Sequence, residues 1–222
     1  MDKVGKDITF DVHGEAKNGY LAIPSQPNAP RVIVLHAWWG LNPFFKSLCD
    51  RLASEGFVAF APDLNEGKIA QTVEEAEQIE SETSFQQKHA IVDTLVDVLR
   101  GRIEMNREPL SLIGFSMGAA WSLLLASEHP EDIQKVVLFY GSDSVDFTKI
   151  KADVLGHFSD VDQWEPLDGI RAMETDMHNA GVKTEFHVYP GMSHWFFEDN
   201  RPEFDRQAAD LAWRRTLEFL RR

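Results

Sequence analysis

A single cysteine, Cys49, in 222 residues removes two options: no intrachain disulfide can form, and no zinc site with several thiolate ligands can exist. It lies in the helix-like stretch 47–53, where a buried, inert thiol is expected. The lack of disulfides is compatible with a reduced, cytoplasmic location. Basic side chains are also scarce. The 22 Lys and Arg against 36 Asp and Glu leave a formal charge of −14. That balance argues against nucleic acid or an anionic membrane as partner, and mildly against strongly anionic substrates. Neither G-x-G-x-x-G nor a P-loop occurs, so no cofactor is expected, and the pair Asp160 and Asp162 has no ligand set around it, so no metal is expected. Residues 1–7 contain no apolar h-region, so a secretory leader is not expected. Internal repeats, low-complexity tracts and linkers are lacking too, and 1–222 reads as one domain. The uncharged run Pro109 to Ser127 is long enough to cross a bilayer. It carries one proline, two glycines and several serines, and reads instead as a buried strand followed by a buried helix.

What the chain does contain is an almost regular alternation of strand-like and helix-like segments, the pattern of an α/β fold with a mostly parallel sheet and helices on both faces. Ile8 to Val12 and Gly19 to Ile23 read as an antiparallel start, and Arg31 to Leu35 as a central strand. A helix follows over Pro43 to Glu55, stopped by Gly56, then a strand at Phe57 to Phe60. Leu64 to Thr83 is acidic and reads as irregular. Ser84 with Gln87 forms a capping box, after which Ile91, Leu95, Val98 and Leu99 recur at helical spacing and should face the core. Further strands are expected at Val136 to Tyr140, Val154 to Phe158 and Thr184 to Tyr189. Helices are expected at Asp168 to Ala180 and Pro202 to Leu220.

The most informative stretch is Gly114-Phe115-Ser116-Met117-Gly118. It reads G-x-S-x-G, with an apolar strand-like run before it and a helix-like run after it, the context of a nucleophile elbow. A serine hydroxyl needs a general base within hydrogen-bond reach, and that base needs a carboxylate to fix its tautomer. In an α/β-hydrolase the chain order is Ser, acid, His. His194, in the loop just past the strand ending at Tyr189, fits the base. His187 falls within that strand and His178 on a helix. His157 lies where an acid is wanted, and His129 is placed to cap the helix after the elbow. For the acid, Asp160 and Asp162 both qualify, and composition cannot separate them. The oxyanion hole should use the backbone N–H of Met117 and one from the loop His36-Ala37-Trp38-Trp39-Gly40.

Taken together, His36 to Asn42, Asp50 to Ala53, Ala61 to Leu64, Gly114 to Gly118, His157 to Pro166 and Pro190 to His194 resemble the dienelactone hydrolase family over nearly the whole chain. The resemblance implies Ser116 as nucleophile, Asp162 as acid and His194 as base. It also implies the N–H groups of Trp38 and Met117 as oxyanion donors. Three positions depart from the family's pattern. Ser116 stands where the family has cysteine, Ala37 where it has an activating glutamate, and Glu198 where it has a substrate-binding arginine. Nor does any arginine occur between Leu64 and Leu99. An acidic Glu198 beside the substrate is expected to repel a carboxylate. The expected activity is therefore cleavage of small neutral esters or lactones through an acyl-enzyme. Trp39, Trp164 and Trp195 are candidate substrate contacts beside Glu198. A thioesterase or peptidase on the same triad, and a non-catalytic binding module, are the alternatives. The expected partner is a small molecule, with no nucleic acid and no membrane.

Overall fold

In a computed structural model of the chain, which describes residues 5–102 and 109–222, the segments fall into two units, Met1–Leu110 and Ser111–Arg222. Residues 1–4, part of the stretch read as lacking a leader, lie outside the described residues. The first unit opens with a hairpin, β1 (Gly5–Val12) paired antiparallel with β2 (Glu15–Ala22). Its two-residue loop, His13-Gly14, has positive φ at both positions (52° and 90°), the twist that joins antiparallel strands tightly. β2 then pairs antiparallel with β4 (Val58–Pro62), and β4 pairs parallel with β3 (Arg31–Leu35). Every residue of β3 and β4 is buried, which explains why these runs lack the polar alternation of a one-sided strand.

Helix α1 (Pro43–Ser54) packs against β4 and β2. Asn42 caps it, its side chain accepting from the N–H of Phe44 at 3.0 Å, and proline opens the first turn where no N–H is missed. Cys49 is fully buried on this helix, and burial pushes its thiol well up. A second helix, α2 (Val73–Glu82), occupies the stretch expected to be irregular. Thr72 caps it by accepting from Glu75 N–H, while the Glu75 side chain accepts from Gln71 N–H, one residue before the cap. Only Ala76 and Ile79 of this helix are buried, too few to print a hydrophobic period. Helix α3 (Phe85–Arg102) starts where the capping box at Ser84 and Gln87 places it, and both bonds of that box form. Ile91, Leu95 and Leu99 face inward as expected, joined by Val92 and Val96, while Val98 is half-exposed.

The second unit carries β5 (Leu110–Phe115), β6 (Ile133–Phe139), β7 (Asp153–Ser159) and β8 (Thr184–Tyr189) in that spatial order. β6, β7 and β8 pair in parallel. Helix α4 (Met117–Glu128) follows β5 directly and is buried on most sides, so the run from Pro109 to Ser127 is a buried strand plus a buried helix. Each large apolar side chain so enclosed contributes about 1.5–3 kcal/mol relative to exposure. Helices α5 (Leu167–Asn179) and α6 (Arg206–Arg221) complete the unit. α6 begins four residues later than its apolar period suggests, because Asp205 caps it by accepting from Ala208 N–H at 2.8 Å. No helix among the described residues is long and apolar enough to cross a membrane.

Candidate active site

Three loops leave the carboxyl ends of β5, β7 and β8, the end of a parallel sheet at which ligands bind in α/β folds. The first is a single residue. Ser116 sits between β5 and α4 with φ 51° and ψ −115°, a backbone conformation that costs a side-chain-bearing residue about 1–3 kcal/mol and persists only where its surroundings enforce it. Those surroundings are visible. Ser116 N–H donates to Phe139 O at 2.9 Å at the end of β6. A Cβ on Gly114 would strike the carbonyl of Gly118 and the hydroxyl of Ser122, and one on Gly141 would strike the carbonyl of Ser116. The elbow is therefore held from both sides by positions that admit no side chain. Phe115 stacks on Phe139 at 4.5 Å, and Phe139 packs on Phe197 at 4.5 Å. These rings join the elbow to the segment after β8.

That segment brings His194 to Ser116. Its Nε2 lies 2.9 Å from Ser116 Oγ, and its Nδ1 lies 2.7 Å from Asp162 Oδ2. The side chains of His194 and Asp162 are 4% and 1% exposed, so solvent competes little for either bond. Asp162, not Asp160, is the histidine's partner. Asp160 instead accepts from Gly191 N–H at 2.7 Å, and Val161 N–H donates to Met192 O at 3.2 Å, so the loops after β7 and β8 are clipped together. Asp162 also accepts from the N–H groups of Trp164 and Glu165 at 2.8 and 3.0 Å. Burial alone would raise its pKa. The hydrogen bond and charge of His194, with these two N–H donors, outweigh burial and hold the carboxyl below its usual range. A carboxylate kept ionised on Nδ1 fixes the proton there and turns the Nε2 lone pair toward the serine. That arrangement can withdraw a proton from the hydroxyl.

The other predicted residues divide. Met117 is the first residue of α4, directly after Ser116. Trp164 and Trp195 pack at 6.0 Å between ring centres, and both line a cavity of about 340 Å³ that His194 also lines. Trp38 and Trp39 belong to the first unit. The Trp38 carbonyl accepts from Asn65 Nδ2 at 2.8 Å, and Trp39 is fully buried, its carbonyl accepting from Ala70 N–H at 3.1 Å. Beside them, His36 is buried and accepts from Leu64 N–H at 3.0 Å on Nε2, and desolvation lowers its pKa. It is a neutral brace for this loop.

Glu198 requires correction. The sequence suggested a charged carboxylate facing the substrate, but Glu198 is fully buried and Tyr140 O–H donates to its Oε1 at 2.9 Å. Burial pushes its carboxyl up to about 8, against the opposing hydrogen bond from Tyr140 and the charge of Arg201. Near neutral pH it is an uncharged acid, and repulsion of an anionic substrate does not come from it. Sequence reasoning missed Tyr140 altogether. Its ring packs on His194 at 4.9 Å between centres, and its backbone has φ 37° at the end of β6. In the sequence it looked like one more apolar strand residue.

A family model described as the dienelactone hydrolase family matches residues 18–222. Protein usf of Aquifex pyrophilus is 32% identical, over 98% of each chain. A protein of Aquifex aeolicus bearing the name "Putative carboxymethylenebutenolidase" is 28% identical, again over 98% of each. Among solved structures, the "Putative Dienelactone Hydrolase" of Klebsiella pneumoniae superposes with a TM-score of 0.84 at 25% identity, covering 96% of this chain and 97% of its own. Eight strands in a mostly parallel arrangement with flanking helices, the joined Ser, His and Asp, and these matches lead to one conclusion. The chain has the α/β-hydrolase fold and belongs to the dienelactone hydrolase family, a family of hydrolases.

Proposed function

We propose that this chain is a serine hydrolase that cleaves small carboxylic esters or lactones through an acyl-enzyme on Ser116. The observation that carries the proposal is the unbroken relay from Ser116 Oγ through His194 to Asp162, with contacts of 2.9 and 2.7 Å. His194 Nε2 takes the hydroxyl proton as Oγ attacks the carbonyl carbon, and the oxyanion forms beside the N–H of Met117 at the head of α4. The imidazolium then gives its proton to the leaving alkoxide. A water molecule, deprotonated in turn by His194, attacks the acyl-enzyme and releases the acid. Asp162 stays ionised throughout. The family's cysteine is replaced by a hydroxyl, which has negligible anion at neutral pH, so the general base is indispensable here.

The test compares hydrolysis of p-nitrophenyl acetate by the wild type and by Ser116→Ala, alongside labelling with a fluorophosphonate. The expected result is a loss of roughly 10⁴-fold or more in kcat/KM, with label on the wild type alone. Equal rates in both proteins and no label on either would sink the reading.

A further inference from the structure

The cavity beside His194 has a composition that says what it accepts. It is lined by the indoles of Trp164 and Trp195, by Val161, Gln163, Ser193 and His194, and by one carboxylate, Glu203. At about 340 Å³ it holds a small substituent of a substrate. Trp164 is 40% exposed and Trp195 is buried. Glu203 Oε2 is buried and has no hydrogen-bond partner among the described residues. A carboxylate oxygen left without a donor is costly in the empty protein and favourable once a positive group arrives. Indole faces attract cations through their quadrupole, and the chain already uses this property at this ring. The Arg201 guanidinium lies 5.5 Å from the Trp195 ring centre without lining the cavity. The formal charge of −14 adds a long-range bias in the same direction.

We infer that this cavity is a subsite for a cationic substituent, and that the preferred substrates are small esters carrying an alkylammonium group on the acyl or alcohol side. The inference rests on the proposed esterase reading for turnover, but not for binding. The ammonium head rests against the exposed parts of the packed indoles of Trp164 and Trp195, with Glu203 as counter-charge, and the ester extends toward His194. This assigns to Glu203 the selectivity that the sequence suggested for Glu198.

The experiment uses two pairs that share a shape and differ in charge: choline against 3,3-dimethylbutanol for binding, and their acetates for turnover. Binding to the intact protein is followed by tryptophan fluorescence at low salt, and kcat/KM is measured for both acetates. The expected result is about a tenfold preference for the ammonium member in each assay. Both Glu203→Gln and Trp164→Leu are expected to reduce the preference toward one. Equal or undetectable binding of the two alcohols overturns the subsite, whatever the esters do. So does a preference that Glu203→Gln leaves intact. Preferential choline binding with neither acetate hydrolysed would keep the subsite and sink the esterase reading instead.

Discussion

Glu198 is the residue whose chemistry departs furthest from its sequence appearance. Four positions past His194 it reads as a charged acid facing the substrate, yet it is enclosed and bonded to Tyr140, whose ring packs on His194. Its second oxygen has no partner among the described residues. The consequence for stability has a definite sign. The folded pKa is about 8, above the value of 4.5 for the free side chain, so the folded state holds a proton that the unfolded state has released between those two pH values. Stability therefore falls as pH rises from about 4.5 toward about 8, and the penalty is complete above that range. Glu198→Gln carries no such penalty. Thermal unfolding is expected to show the variant close to wild type at pH 5 and more stable by roughly 5 °C at pH 9. A constant difference across that range would mean that Glu198 is ionised throughout. Ser116, His194 and the two candidate acids were legible from motif and chain order, because an elbow and a loop after the last strand are local features. Choosing between Asp160 and Asp162 needed distances, since both carboxylates satisfy the same pattern and one of them spends itself on Gly191 N–H.

At the scale of elements, end signals served better than periodicity. The capping box at Ser84 and Gln87 placed the start of α3 correctly because it is a reciprocal pair of bonds between neighbours in sequence. Ser84→Ala removes the acceptor for Gln87 N–H and is expected to lower stability by about 1 kcal/mol, measured by urea denaturation. A loss below about 0.3 kcal/mol would show that water replaces the cap without cost. The cap at Thr72, with Glu75 three residues on, lay in the sequence too but was obscured by the acidic run around it. α2 buries only two residues, so its helical state owes more to caps and exposed helix formers than to a core face. The late start of α6 makes the same point, since Asp205 sets it rather than the apolar pattern.

For the whole molecule, charge is the global property that sequence alone supplies. An excess of 14 negative charges self-repels in the folded state. Raising salt from roughly 10 to 150 mM shortens the screening length and is expected to raise Tm by roughly 2–4 °C. A Tm that falls with salt would mean that ion pairs such as Lys17 with Glu66 dominate over repulsion. The sequence by itself determined the α/β class, the serine at a strand-to-helix turn and the candidate base after the last strand. Each of these follows from residues close in sequence, where backbone geometry and hydrophobic period act directly. Only the tertiary structure decided which aspartate meets His194 and that Glu198 is an enclosed neutral acid against Tyr140. It alone placed Glu203 and two tryptophans around the cavity at His194. Those outcomes depend on desolvation and on contacts between residues tens of positions apart, which no local pattern encodes.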